Sequence, residues 1–250
     1  MKLFNILLFT FLLTSTNVEA QSFFEKLKKI FNTEAPGTST SSSKTLSNLS
    51  SSDISKALKE ALNLGVEEGV KKLGVTDGFY KNELVKILLP EQLQNVDKTL
   101  RTIGLGSLAD EGLKLLNRAA ENAVSESLPI FSKAITSITF DDAKNILLGN
   151  KDAATSFLKE KTSQQLFTAF KPKIEDSIGA VGADKVWTNL ISKYNTFTAN
   201  NINTDLNAYV TEQAINGVFK MVAEKEAGIR DNAAMRTSSI LKEVFGAVNK

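Results

Sequence analysis

The sequence predicts an all-α fold: a single globular multi-helix bundle of roughly eight helices behind a flexible N-terminal tether. Three observations predict it. Apolar residues recur at helical spacing from Asp53 almost to the C-terminus. No window sustains strand alternation; Ser137-Ile138-Thr139-Phe140 comes nearest and is too short. Apolar residues make up 42% of the 250, with 15 Phe among them, so amphipathic helices have a core to bury.

Residues 1–20 read as a secretory signal. Met1 and Lys2 give a positive start, and Leu3 to Leu13 form an apolar run broken only by Asn5 and Thr10. Val18-Glu19-Ala20 places small or β-branched residues where a signal peptidase reads, leaving Gln21 as the mature start. The expectation is an exported, periplasmic product. A lipid anchor needs a Cys at the cleavage point, so a lipoprotein is not expected. Within residues 21–52, Ser22 to Phe31 form a short basic amphipathic helix. Phe23, Phe24, Leu27, Ile30 and Phe31 supply its apolar side, against Lys26, Lys28 and Lys29. It could touch an anionic membrane surface weakly or dock on the body. Asn32 to Ser52, rich in Ser and Thr with Pro36 and Gly37, reads as the tether.

The folded body is expected over residues 53–250. Asp53 or Ser52 caps a first helix that carries Ile54, Leu58, Leu62, Val66, Val70 and Leu73; Gly74 ends it and Asp77-Gly78 turns. Pro90 opens a second helix with Leu93, Val96, Leu100 and Ile103. Ser107 opens a long third. At about 100° per residue, Leu116, Ala120, Ala123, Val124, Phe131, Ile135 and Ile138 fall on one side. The stripe keeps phase across Pro129, which predicts one kinked helix or two nearly collinear ones. Thr139 and Asp142 have the spacing of a capping box, and Gly149 closes that helix at C′. Amphipathic stretches follow at Asp152–Phe170, Lys173–Ile178 and Asp184–Thr198. Asp205 starts a helix with two apolar stripes, a pattern that predicts a central position, with Gly217 allowing a close neighbour. A last helix runs from about Ala234 to Val248.

Composition narrows the chemistry. Without Cys there is no disulfide, thiolate metal site or thiol nucleophile. Without His, Ser-His-Asp and Cys-His catalysis and imidazole zinc sites are excluded. A general base would have to be a tuned carboxylate or Lys. The net charge of +2 argues against nucleic acid as a partner. No motif implies a cofactor or a metal.

Several short motifs resemble a known family. They are Leu89-Pro90, Asn117-Arg118-Ala119-Ala120-Glu121, Asp141-Asp142-Ala143 with Ile146-Leu147 and Gly149, and Ala153-Ala154-Thr155. Glu226 with Ile229-Arg230 follows, then Arg236 ahead of Val244-Phe245-Gly246. In order and spacing the chain resembles the bacterial family called domain of unknown function 4197, over approximately Leu46 to Lys250. The resemblance implies an exported helical protein and supplies candidate positions, but no reaction.

The candidate ligand-binding residues are Asn117, Arg118, Glu121, Asp142, Glu226, Arg230 and Arg236. Asn117 and Glu121, four apart, border the apolar stripe, where an amide and a carboxylate are costly unless partnered. Glu226 and Arg230 are four apart in the favourable order. Two readings stand side by side. Arg118 and Arg230 could converge on an anionic ligand, with Glu121 or Glu226 as general base, or these groups could form buried networks that tie helices together. Asp142 reads as a helix cap. The leading expectation is a binding or protein-interaction module without catalytic activity, whose partner is a small molecule or another envelope protein. The alternatives are a hydrolase-like envelope enzyme using a carboxylate and Arg, and a purely structural envelope protein.

Overall fold

The computed structural model describes residues 49–180, 182–198 and 205–248. The expected signal sequence 1–20, the expected amphipathic helix 22–31 and most of the expected tether lie outside them. Among the described residues there are nine α-helices and no strand. They are α1 (Ser51–Leu73), α2 (Glu91–Thr102), α3 (Gly106–Ala123), α4 (Ser127–Thr136), α5 (Phe140–Leu148), α6 (Ala153–Ala180), α7 (Ala183–Thr198), α8 (Leu206–Asp231) and α9 (Ser239–Val248).

The body starts slightly before the expected Asp53. Ser50 caps α1: its hydroxyl accepts from the Asp53 amide at 3.1 Å and donates to the Asp53 carboxylate at 2.6 Å. Pro90 is the N-cap of α2, one residue before the first turn expected for it. The long third helix divides at a 3₁₀ turn, Val124–Glu126, upstream of Pro129. Pro129 sits in the first turn of α4, where its missing N–H breaks no helical bond. The Ser127 hydroxyl, donating to the Val124 carbonyl at 2.7 Å, ties the turn. The stripe itself is continuous, and Leu116, Ala120, Val124, Phe131, Ile135 and Ile138 are all buried.

Pro172 does the reverse of what its sequence position suggests. Asp152–Phe170 and Lys173–Ile178 form one 28-residue helix, α6, with Pro172 inside. Both Pro172 and Thr168, whose carbonyl the proline leaves without a helical donor, are exposed, so water can satisfy that group. Burial drives the continuity: Leu158, Thr162, Leu166, Phe170, Ile174 and Ile178 recur every fourth residue on the core side. At the other end of the chain, α9 begins at Ser239, later than Ala234. Residues Ala233–Met235 form a 3₁₀ turn that sends Arg236 back under α8. Gly149 is an extended C-cap of α5 rather than a left-handed C′ residue.

The two-striped helix is central. α8 packs against α6, α1 and α3, and Val210, Ala214, Val218 and Val222 are nearly inaccessible. Phe219 meets Phe131 of α4 edge to face, with ring centroids 5.7 Å apart. The close neighbour at Gly217 is not a helix but the irregular segment 74–90, which straps across α3 and α8. Its Phe79 ring is fully buried, and a Cβ on Gly217 would lie 2.6 Å from Phe79 Cε1. Gly217→Ala therefore tests the strap. Ala favours the helix by up to about 1 kcal/mol, but a clash with a ring that cannot retreat costs about 1–3 kcal/mol. Net destabilisation is expected in urea unfolding with an unchanged m-value. A variant as stable as the parent would refute the close packing.

Candidate functional site

The seven candidate residues separate into two buried polar clusters and one surface cap. The first cluster sits where α3 meets the strap. Asn117 is completely buried, and its side-chain amide treats Ile87 as a neighbouring strand would. Its Oδ1 accepts from the Ile87 N–H at 2.8 Å, and its Nδ2 donates to the Ile87 carbonyl at 2.9 Å. The same Nδ2 donates to the Leu113 carbonyl at 2.9 Å. One turn on, Glu121 accepts three backbone N–H groups, from Asp77 and Phe79 at 3.1 Å and from Tyr80 at 3.3 Å. Arg118 holds both acids at once, Glu121 at 2.8 Å and Asp77 at 3.1 Å. Asp77 has φ +65°, a left-handed conformation that few residues other than Gly adopt. The carboxylate of Glu121 thus collects amides of a tight turn that an aliphatic side chain would leave without acceptors.

The second cluster is built on the last two turns of α8 and holds three helix ends together. Glu226 caps α6 from outside. Its Oε1 accepts from the Ala154 N–H at 3.0 Å, and its Oε2 accepts from the Thr155 N–H at 2.8 Å and the Thr155 hydroxyl at 2.7 Å. These amides belong to the first turn of a helix, which lacks internal partners and carries positive partial charge. Arg230 does the complementary job at the C-terminus of α5, donating to the carbonyls of Ile146 at 2.8 Å and Leu147 at 3.1 Å. The two side chains also pair with each other, Arg230 Nε to Glu226 Oε1 at 3.0 Å. Arg236 caps α8 itself, donating to the carbonyls of Ile229 at 2.9 Å and Arg230 at 2.8 Å. Anions meet helix starts and guanidinium groups meet helix ends throughout.

Three of the motifs that carried the family resemblance are therefore one another's partners. Ile146-Leu147 and Ala153-Ala154-Thr155 flank the α5–α6 turn, and Glu226 and Arg230 reach both sides of it. Asp142 stands apart. It completes the expected capping box: the Thr139 hydroxyl accepts from the Asp142 amide, and the Asp142 carboxylate accepts from the Thr139 amide at 3.0 Å.

Arg118 and Arg230 do not converge. Arg118 is engaged with the carboxylates of Asp77 and Glu121, and Arg230 with Glu226 and the carbonyls of Ile146 and Leu147, so the single anion-gripping cluster expected from the sequence is two networks. The void beside Glu226 and Arg230, walled by Leu58, Ala154, Val222 and Phe245, measures about 10 Å³. That is room for one water. Helical angles placed these residues at the core border, but they could not show which backbone groups would meet them. Asp77, read only as part of a turn, escaped the candidate set. Nothing in its local sequence marks a partner 41 residues away.

The carboxylates with resolved titration shifts are at exposed or rim positions. Lys81, bonded to Asp77 at 2.8 Å, holds that carboxyl below its usual range, with Lys114 and Arg118 adding to the effect. Asp142 is lowered by its bonds to the Thr139 hydroxyl and amide. Both folded-state values lie below the unfolded value near about 3.9. Their contribution to stability is complete above that value and is lost as pH falls through the lower folded-state values. The melting temperature should therefore drop between about pH 4 and pH 2. An Asp77→Asn/Asp142→Asn double variant should show a flatter acid limb. An identical acid limb would show that these two groups do not contribute.

Elsewhere, an open cleft of about 530 Å³ lies between α7, the start of α8 and the end of α6. Trp187, Ile191, Asp184, Asp205 and Asn207 are among its walls. Among the described residues, no Lys or Arg lines it. Among the described residues, no group of three acids, His or Cys is placed to hold a metal ion, and no helix is long and apolar enough to cross a membrane.

Neither a curated protein nor a solved structure matches this chain. A family profile described as "Protein of unknown function (DUF4197)" matches residues 48–246, which include α1 to α8, both polar clusters and all but the end of α9. The chain, with its helix-end network built from the residues that carry the resemblance, belongs to the DUF4197 family.

Proposed function

We propose that this protein is an exported, periplasmic helical binding or protein-interaction module without catalytic activity. The observation that carries the reading is the engagement of its reactive vocabulary. With no His and no Cys, a general base near neutral pH would fall to a carboxylate in a cavity. The buried candidates, Glu121 and Glu226, instead accept backbone amides and face guanidinium groups. A carboxylate that satisfies a helix start is poorly suited to take a substrate proton. The networks fix a rigid frame, and recognition falls to its surface and clefts. Export rests on the N-terminal signal pattern alone.

The test has two parts. Purified protein, screened against ester, phosphoester, peptide and glycoside substrates, should show no turnover, and Glu121→Gln and Glu226→Gln should change stability only. Turnover in the parent that vanishes in a folded Gln variant would establish the enzyme reading instead. Export is checked by the N-terminus of the cellular protein. Gln21 in the periplasmic fraction is expected, and uncleaved chain in the cytosol would overturn it.

A further inference from the structure

We propose that Met235 is a redox latch: oxidation of its thioether to the sulfoxide by a peroxide unfastens the turn between the end of α8 and the start of α9. The inference goes beyond the reading as a binding module and does not depend on it. The chain has no Cys, so its sulfur chemistry falls to three methionines. Met1 belongs to the expected signal. Met221 is only 5% exposed. Its Cβ packs 3.0 Å from where a Cβ on Gly69 would stand, and its Sδ accepts from the Asn82 side-chain amide at 3.9 Å. Met235 is half-buried and walls an open space of about 130 Å³, shared with Met221, Glu68, Lys72, Glu224 and Lys225. Hydrogen peroxide, little larger than water, fits such a space.

What Met235 touches makes it a latch. Its Sδ and Cε lie against the bare Cα of Gly228, 2.5 and 2.6 Å from where a Cβ would stand. That contact seats the 3₁₀ turn Ala233–Met235 on α8. The turn's own hydrogen bonds are local: the Met235 N–H donates to the Asn232 carbonyl at 3.0 Å, and the Arg236 N–H to the Ala233 carbonyl at 3.2 Å. The next side chain, Arg236, caps α8 and runs under α9, its Nη1 3.8 Å from where a Cβ on Gly246 would stand. In the oxidation, a sulfur lone pair attacks one peroxide oxygen. The S–O bond forms as the O–O bond breaks. Sulfur gives up two electrons, and the departing hydroxide takes the proton of the transferred oxygen and leaves as water. The product is polar where the thioether was apolar. Gly228 Cα offers the new oxygen no donor, whereas the open space offers water and the ammonium groups of Lys72 and Lys225. The side chain therefore swings off Gly228, the turn loses its apolar anchor, and the Arg236 cap loosens with it.

The full chain is treated with hydrogen peroxide and followed by peptide mass spectrometry and hydrogen exchange. Met235 should gain one oxygen at least about tenfold faster than Met221, because reactivity follows exposure. Exchange at the Asn232, Met235 and Arg236 amides and through α9 should then accelerate at least about tenfold, as when a packed side chain is lost. The strap amides of Phe79 and Ile87 should not change. A methionine sulfoxide reductase should restore the parental pattern. Met235→Leu should make exchange insensitive to peroxide, and Met235→Gln, polar at the same length, should exchange like the oxidised parent without oxidant. Oxidation of Met221 as fast as Met235 would overturn the proposal. So would parental exchange in chain oxidised at Met235, a peroxide response that persists in Met235→Leu, or exchange that the reductase does not restore. The reductase arm uses the parent chain alone, so it decides the matter even where a substitution disturbs folding.

Discussion

Replacing Glu226 by Ala should lower the unfolding free energy by about 3–5 kcal/mol, the cost of breaking a buried ion pair by removing one member. For a domain of this size that corresponds to a fall in melting temperature of about 6–20 °C. Two losses combine. The amides of Ala154 and Thr155 lose the acceptor that caps α6, and Arg230, only 6% exposed, keeps its charge without the anion beside it. The pair also differs from an isolated buried ion pair, which apolar residues of similar volume often replace at little cost. Here the partners of both side chains include backbone groups that no substitution removes: two amides at the start of α6 and two carbonyls at the end of α5. A Glu226→Leu/Arg230→Met double variant should therefore remain well below the parent in thermal melts. Recovery to parental stability would show that the helix ends do not need these caps.

Glu121→Ala should cost a similar amount, about 3–5 kcal/mol, with a different local signature. This carboxylate gathers the amides of Asp77, Phe79 and Tyr80 and balances Arg118. Its loss frees the turn where Asp77 adopts a left-handed backbone, and with it the seat of Phe79 against Gly217. Hydrogen exchange should accelerate at Phe79 and Tyr80, and at Ile87, whose amide is held by Asn117 one turn earlier on α3. Exchange at the α6 amides of Ala154 and Thr155 should change less, because their acceptor is untouched. Parental protection at Phe79 and Ile87 in this variant would refute the assignment of Glu121 as the clasp of the strap. Comparing the two Ala variants also separates the networks. If Arg118 and Arg230 shared one anion site, both substitutions would disturb the same amides.

The fold class was legible in the sequence because amphipathic periodicity is a local property. The stripe from Leu116 to Ile138, the two-sided burial of α8 and the Thr139–Asp142 box all follow from spacing and side-chain type. Boundaries were less legible. At Pro172 local propensity argued for a break, and burial of Phe170 and Ile174 on either side outweighed it, with the proline turned to water. At Pro129 the break came earlier, where a 3₁₀ turn and the Ser127 hydroxyl supplied the bend.

The candidate polar residues could be selected from sequence because an acid or amide beside an apolar stripe has to find a partner. Which partner it finds depends on backbone that packs against it from 30 to 84 residues away, and angular counting carries no such information. By itself the sequence determined an α-helical body, the absence of thiol and imidazole chemistry, and the positions where polar groups would be forced into the core. Only the tertiary structure decided that those groups close helix ends and clasp a strap, leaving beside Glu226 and Arg230 room for one water. The physical reason is that burial of a side chain follows from its own helix, whereas satisfaction of its hydrogen bonds depends on whichever backbone the fold brings to meet it.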